Sequence, residues 1–70
     1  MTLRQAEVIA SLAENGMNAR AASRDMFLHY HTVLYHIKMI QRDTGLNPRD
    51  YQDFGVLLEM AKKILEENKG

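Results

Sequence analysis

Three histidines and two tyrosines crowd into ten residues, FLHYHTVLYH, running from Phe27 to His36. They are all of the chain's histidines and two of its three tyrosines. Such a cluster could ligate a metal, act as general bases, or present hydrogen-bonding groups to a partner. A zinc site needs three or four convergent ligands. His29 and His31 straddle a predicted helix start, and His31 and His36 are about 140° apart round a helix, so they face different ways. No cysteine is present, and the nearest carboxylates, Asp25 and Asp43, lie on other parts of the motif. A histidine base needs a nucleophile, an orienting acid and a pocket. Thr32 and Ser23 are the neighbouring serine and threonine hydroxyls, and nothing builds an oxyanion hole. No catalytic, metal or cofactor site is expected, and no small-molecule ligand. A structural role competes with a contact role: His29 could cap the following helix, and Tyr35 could lay its ring along it with the hydroxyl wet.

The rest of the chain bounds what these side chains can join. Seventy residues make one domain. A chain this short buries only about 60% of the surface its unfolded form exposes. It therefore leans on regular helices, a partner or a metal. The absence of cysteine removes disulfides and thiolates. No apolar run approaches the roughly 20 residues of a membrane span. The start, MTLRQAEVIA, lacks the basic flank and long apolar core of a secretory signal. These features predict a soluble cytoplasmic module with no membrane partner. Net charge is zero, where nucleic-acid binders usually run basic. The charge is uneven, however. Across residues 18–49, Arg20, Arg24, Lys38, Arg42 and Arg49 stand against Asp25 and Asp43, a net +3, while both flanking segments are net acidic.

The pattern predicts an all-α domain of four helices. Thr2 and Gln5 make a capping-box pair at the first start. Leu3, Ala6, Ile9, Ala10 and Ala13 share one face there. Val8 and Leu12 fall on a second face and, if exposed, would suit a dimer contact. Gly16 stops this helix. Asn18 is a good N-cap for a second helix of about nine residues, with Ala19, Ala22 and Met26 on one face. A third helix is predicted from about His31 to Thr44, ended by Gly45. Its inner face holds Val33, Ile37 and Ile40; its outer arc holds His31, Thr32, Tyr35, Lys38, Met39 and Arg42. Asn47-Pro48 suggests a turn or a first helical turn. Asp50 caps a fourth helix whose stripe runs Tyr51, Phe54, Leu57, Leu58, Ala61, Ile64 and Leu65. Gly55 inside that helix suggests close packing against a neighbour.

A short helix with small inner residues, the turn FLHY, and a longer helix with a polar, basic outer arc is the layout of a helix-turn-helix, whose second helix enters the DNA major groove. Small residues at the helix crossing fit either that motif or ordinary core. Threonine, tyrosine and histidine can hydrogen-bond to phosphates or base edges. Arginines suit phosphates near the positive end of the helix.

From Asn18 onward the chain resembles the C-terminal helix-turn-helix of PucR/CdaR-type bacterial regulators, the purine-catabolism and sugar-diacid group. Their pattern runs close to N-x-S-x-A-A-x-x-L-F-V-H-R-N-T-L-x-Y-R-L-x-x-I, then T-G-L. Here it stands as NARAASRDMFLHYHTVLYHIKMI, then Thr44-Gly45-Leu46. TLRQAEVIASLAENGMN and RDYQDFGVLLEMAKKIL are similar to the family's first and last helices, so the resemblance covers essentially the whole chain. It implies a Fis-like helical DNA-binding domain of a transcription regulator. It also implies that residues 1–70 form the C-terminal part of a longer regulator with sensory and dimerisation segments. The expected partners are double-stranded DNA and a second copy in a homodimer. The family usually carries Arg where Tyr30 stands and Asn where His31 stands. Arg is also common at the positions of Leu34 and His36.

The residues expected to meet DNA are therefore Arg20, Arg24, Tyr30, His31, Thr32, Tyr35, His36 and Lys38. Thr32 and Tyr35 would meet bases or phosphate, flanked by His31 and His36. The alternative is a helical protein-interaction module with reduced DNA binding, using Leu34, Met39, Val8 and Leu12 as an apolar patch.

Overall fold

Four amphipathic segments, each with an apolar stripe, must bury those stripes against one another. The computed structural model describes residues 1–69 and contains four helices among them: α1 (Leu3–Glu14), α2 (Ala19–Asp25), α3 (Tyr30–Thr44) and α4 (Tyr51–Glu67).

Local hydrogen bonds set each boundary. At the start of α1, the Thr2 N–H donates to Gln5 Oε1 at 3.0 Å and the Gln5 N–H donates to Thr2 Oγ1 at 3.1 Å. This is the predicted capping box. At its end Gly16 takes φ +63°, and the Met17 N–H donates back to the Leu12 carbonyl at 2.7 Å. That closure satisfies a carbonyl the helix leaves free. Asn18 Oδ1 then accepts from the N–H groups of Arg20 and Ala21, both at 3.0 Å, and α2 begins.

α2 is shorter than predicted, seven residues against about nine. The same closure ends it early: the Leu28 N–H donates to the Ser23 carbonyl at 2.9 Å, with Phe27 at φ +56°. α3 starts at Tyr30, one residue before the predicted His31, because His29 is its N-cap. At its other end the TGL sequence acts as a stop. Thr44 Oγ1 donates to the Ile40 carbonyl at 2.7 Å and accepts the Leu46 N–H at 3.1 Å, while Gly45 sits at φ +74°. Asn47-Pro48 forms a turn, in which Asn47 Oδ1 accepts the Arg49 N–H at 3.0 Å. Asp50 caps α4, accepting the Asp53 N–H at 2.9 Å.

α1 is the central element. It packs along α4 on one side and against α2 and α3 on another, and the close backbone approach of α4 is to α1. The condition set for a dimer contact on α1 is not met: Val8 and Leu12, on its second face, are buried along with Ala6 and Ile9. A helix wrapped from two directions needs two apolar faces, and Leu3 is the one left exposed. In α4, Phe54, Leu57 and Ala61 are buried, but Tyr51 is 85% exposed and drops out of the stripe. Gly55 does not mark close packing either: a Cβ built there meets no atom within 4 Å.

Candidate nucleic-acid interface

The third helix presents the predicted surface. Val33, Ile37 and Ile40 turn into the core, while His31, Thr32, Tyr35, Lys38 and Arg42 face solvent. Leu34, His36 and Met39 lie half-buried at the margins. Fifteen residues make a rod about 22 Å long. The major groove, about 12 Å wide, admits such a helix.

The partner helix is held by a small residue. Ala22 is fully buried, and its carbonyl accepts Ser11 Oγ from α1 at 3.4 Å. Ser23 is also buried, its hydroxyl donating to the Arg20 carbonyl at 2.6 Å. That hydroxyl is a structural tie and is not presented as a nucleophile.

The histidines divide into different roles. His29 Nδ1 accepts the His31 N–H at 3.2 Å, so this imidazole closes the start of α3. The His29 and His31 rings stack with centroids 5.3 Å apart. His36 meets the edge of Tyr35 at 5.9 Å. Among the described residues, no three His, Cys, Asp or Glu side chains gather where they could hold a metal ion.

Two of the eight residues predicted to meet DNA are brought together across different helices. The Arg20 guanidinium lies over the Tyr30 ring, 4.1 Å from its centroid. Tyr30 is half-buried and lines a recess of about 390 Å³ with Met17, Ile37, Pro48 and Arg49. Arg49, outside the set expected from the sequence, lines the same recess as Tyr30. Its signal was present in the basic middle segment, but its place depends on how the turn at Pro48 folds back. Arg24 projects to solvent from the last turn of α2, and Lys38 from the middle of α3.

The charges are left available. Ion pairs join Arg4 to Glu7, Arg42 to Asp43 and Lys62 to Glu59. Among the described residues, Arg20, Arg24, Lys38 and Arg49 have no carboxylate partner within 4.0 Å. Asp43 stays exposed but is tied to α1. Gln5 Nε2 donates to its carboxylate at 3.0 Å and Arg42 Nε at 3.1 Å. The hydrogen bond from Gln5 and then that from Arg42 hold its pKa below the usual value. The pair fastens the start of α1 to the end of α3.

No helix among the described residues is long and apolar enough to cross a membrane. No curated protein and no solved structure matches the chain. The sequence model of the PucR C-terminal helix-turn-helix domain matches residues 5–64, which takes in all of α2 and α3 and most of α1 and α4. With that match over most of its length, and with the helix pair and exposed arc described above, the chain belongs to the family of PucR C-terminal helix-turn-helix domains, a DNA-binding class of transcription regulation.

Proposed function

We propose that the chain binds double-stranded DNA sequence-specifically, as the output domain of a bacterial transcription regulator, with α3 in the major groove. The observation that carries this is the exposed arc of α3, set on an apolar inner face that docks against α1 and α2. Thr32 and Tyr35 occupy the exposed first half of that helix, where a groove-entering helix reads base edges. His31 and His36 flank them, and Arg20, Arg24 and Lys38 supply phosphate contacts.

One module of this kind buries roughly 600–1,000 Å² on DNA, so a single copy binds weakly. Tight binding calls for a homodimer reading two half-sites about 34 Å apart. Val8 and Leu12 do not serve that dimer, being buried in the core. The same burial removes half of the apolar patch that a protein-interaction module would use.

The test is binding to a duplex selected from a random pool. Thr32→Ala combined with Tyr35→Ala should lose far more affinity than Glu66→Ala on α4. Equal losses would take α3 out of the reading role. In an NMR titration with duplex DNA, shifts confined to residues 20–42 and abolished by salt support the proposal. Self-association without such shifts supports the interaction module.

A further inference from the structure

We infer that Tyr30 is a positioning residue: its ring holds the Arg20 guanidinium in place for a DNA phosphate, and its hydroxyl makes no contact of its own with DNA. This rests on the proposed DNA-binding role. The carrying observation is the 4.1 Å approach of the guanidinium carbon to the Tyr30 ring centroid. The two residues are ten apart in sequence, Arg20 in the first turn of α2 and Tyr30 the first residue of α3.

At that distance the ring's quadrupole attracts the cation. A guanidinium carries five N–H donors in a fixed fork, more than one ring can occupy, so donors remain for an anion. The Tyr30 ring is half-buried and lines the same recess as Ile37 and Pro48, so it offers a less exposed platform than a free surface side chain. Arg20 is exposed and has no carboxylate partner among the described residues. A long cation otherwise loses rotamer entropy on meeting a phosphate; here that ordering is done before DNA arrives.

The experiment measures binding of the 70-residue chain to random-sequence duplex DNA at low salt. The variants are Tyr30→Phe, Tyr30→Leu, Arg20→Lys, Arg20→Gln and the double change Arg20→Gln with Tyr30→Leu. Tyr30→Phe keeps the ring and should bind like the parent. Tyr30→Leu should weaken binding about three- to fivefold, the size of an exposed cation–π contact. In the Arg20→Gln background Tyr30→Leu should have no further effect. Arg20→Gln should also lower the salt-dependence slope by about 0.9, one phosphate contact. Arg20→Lys, a surface change that leaves the fold alone, should keep the slope and lose about threefold, because a lysine's point charge on a flexible stem lacks the pre-organised fork of donors. In the free chain, NMR should show the Arg20 side-chain protons shifted upfield by the ring in the parent and in Tyr30→Phe, and not in Tyr30→Leu.

Losses from Tyr30→Leu and Arg20→Gln that simply add overturn the positioning role, as do a Tyr30→Phe loss as large as that of Tyr30→Leu, an Arg20→Lys variant equal to the parent, or Arg20 protons with no ring shift. Each of these leaves DNA binding standing. A parent chain that fails to bind duplex at low salt overturns the proposed function and this inference together.

Discussion

The Nδ1 atom of His29 accepts the backbone N–H of His31 at 3.2 Å and so begins α3 one residue before the polar arc. An N-cap satisfies one of the helix's unpaired N–H groups and typically contributes about 1 kcal/mol. Removing it should loosen the end of the helix that is proposed to read DNA. His29→Ala is expected to lower unfolding free energy by about 1 kcal/mol, measured by urea denaturation. His29→Asn, which supplies a stronger cap, should match or exceed the parent. An alanine variant as stable as the parent would show that the imidazole contributes nothing as a cap.

Phe27 sits at φ +56° and is 95% exposed. A left-handed backbone costs a residue with a Cβ about 1–2 kcal/mol. Glycine removes that cost but adds about 0.4–1 kcal/mol of unfolded-state entropy. Phe27→Gly should therefore stabilise the domain by about 0.5 kcal/mol, and thermal denaturation should show a rise of a few degrees. A lower melting temperature would mean the ring makes stabilising contacts despite its exposure.

Ala22 has no accessible surface and lies where α2 meets α1. Extra methylenes at such a crossing force helices apart, typically at about 1–3 kcal/mol. Ala22→Leu should destabilise by about that much and weaken DNA binding with it. Ala22→Ser, close in size, should cost less, and chemical denaturation of the two variants side by side decides the point.

Asp43 ties α3 to Gln5 of α1, and its pKa is lowered first by the Gln5 hydrogen bond and then by Arg42. A carboxylate with a depressed folded pKa stabilises above its unfolded pKa, about 3.9, and that contribution is lost as pH falls through the lower folded value. The stability gap between the parent and Asp43→Asn should be present at neutral pH and close in acid. A gap that stays constant down to about pH 2 would remove the linkage.

Gly55 is helical, exposed and surrounded by open space. Gly55→Ala should stabilise α4 by up to about 1 kcal/mol through helix propensity. A destabilised variant would restore the close-packing role first expected of it.

The four helices, the caps at Thr2, Asn18 and Asp50, the glycine stops of α1 and α3, and the inward and outward faces of α3 were legible in the residue order, while the early end of α2 at Phe27 was not. These features depend on neighbours within a few positions: a side chain three residues from a free N–H, a glycine past a last turn, an apolar side chain every third or fourth place. What only the folded chain decided depends on elements meeting across distance. α1 has apolar residues on two faces, and periodicity alone cannot say that both are covered; α4 on one side and the α2–α3 pair on the other bury Val8 and Leu12. Gln5 could be read as a capping residue, but its second bond, to Asp43, joins residues 38 apart. Tyr30 and Arg20 could each be set down as a separate contact. Their pairing exists because the turn at Phe27 brings the start of α3 back beside the start of α2, and no local pattern encodes that proximity.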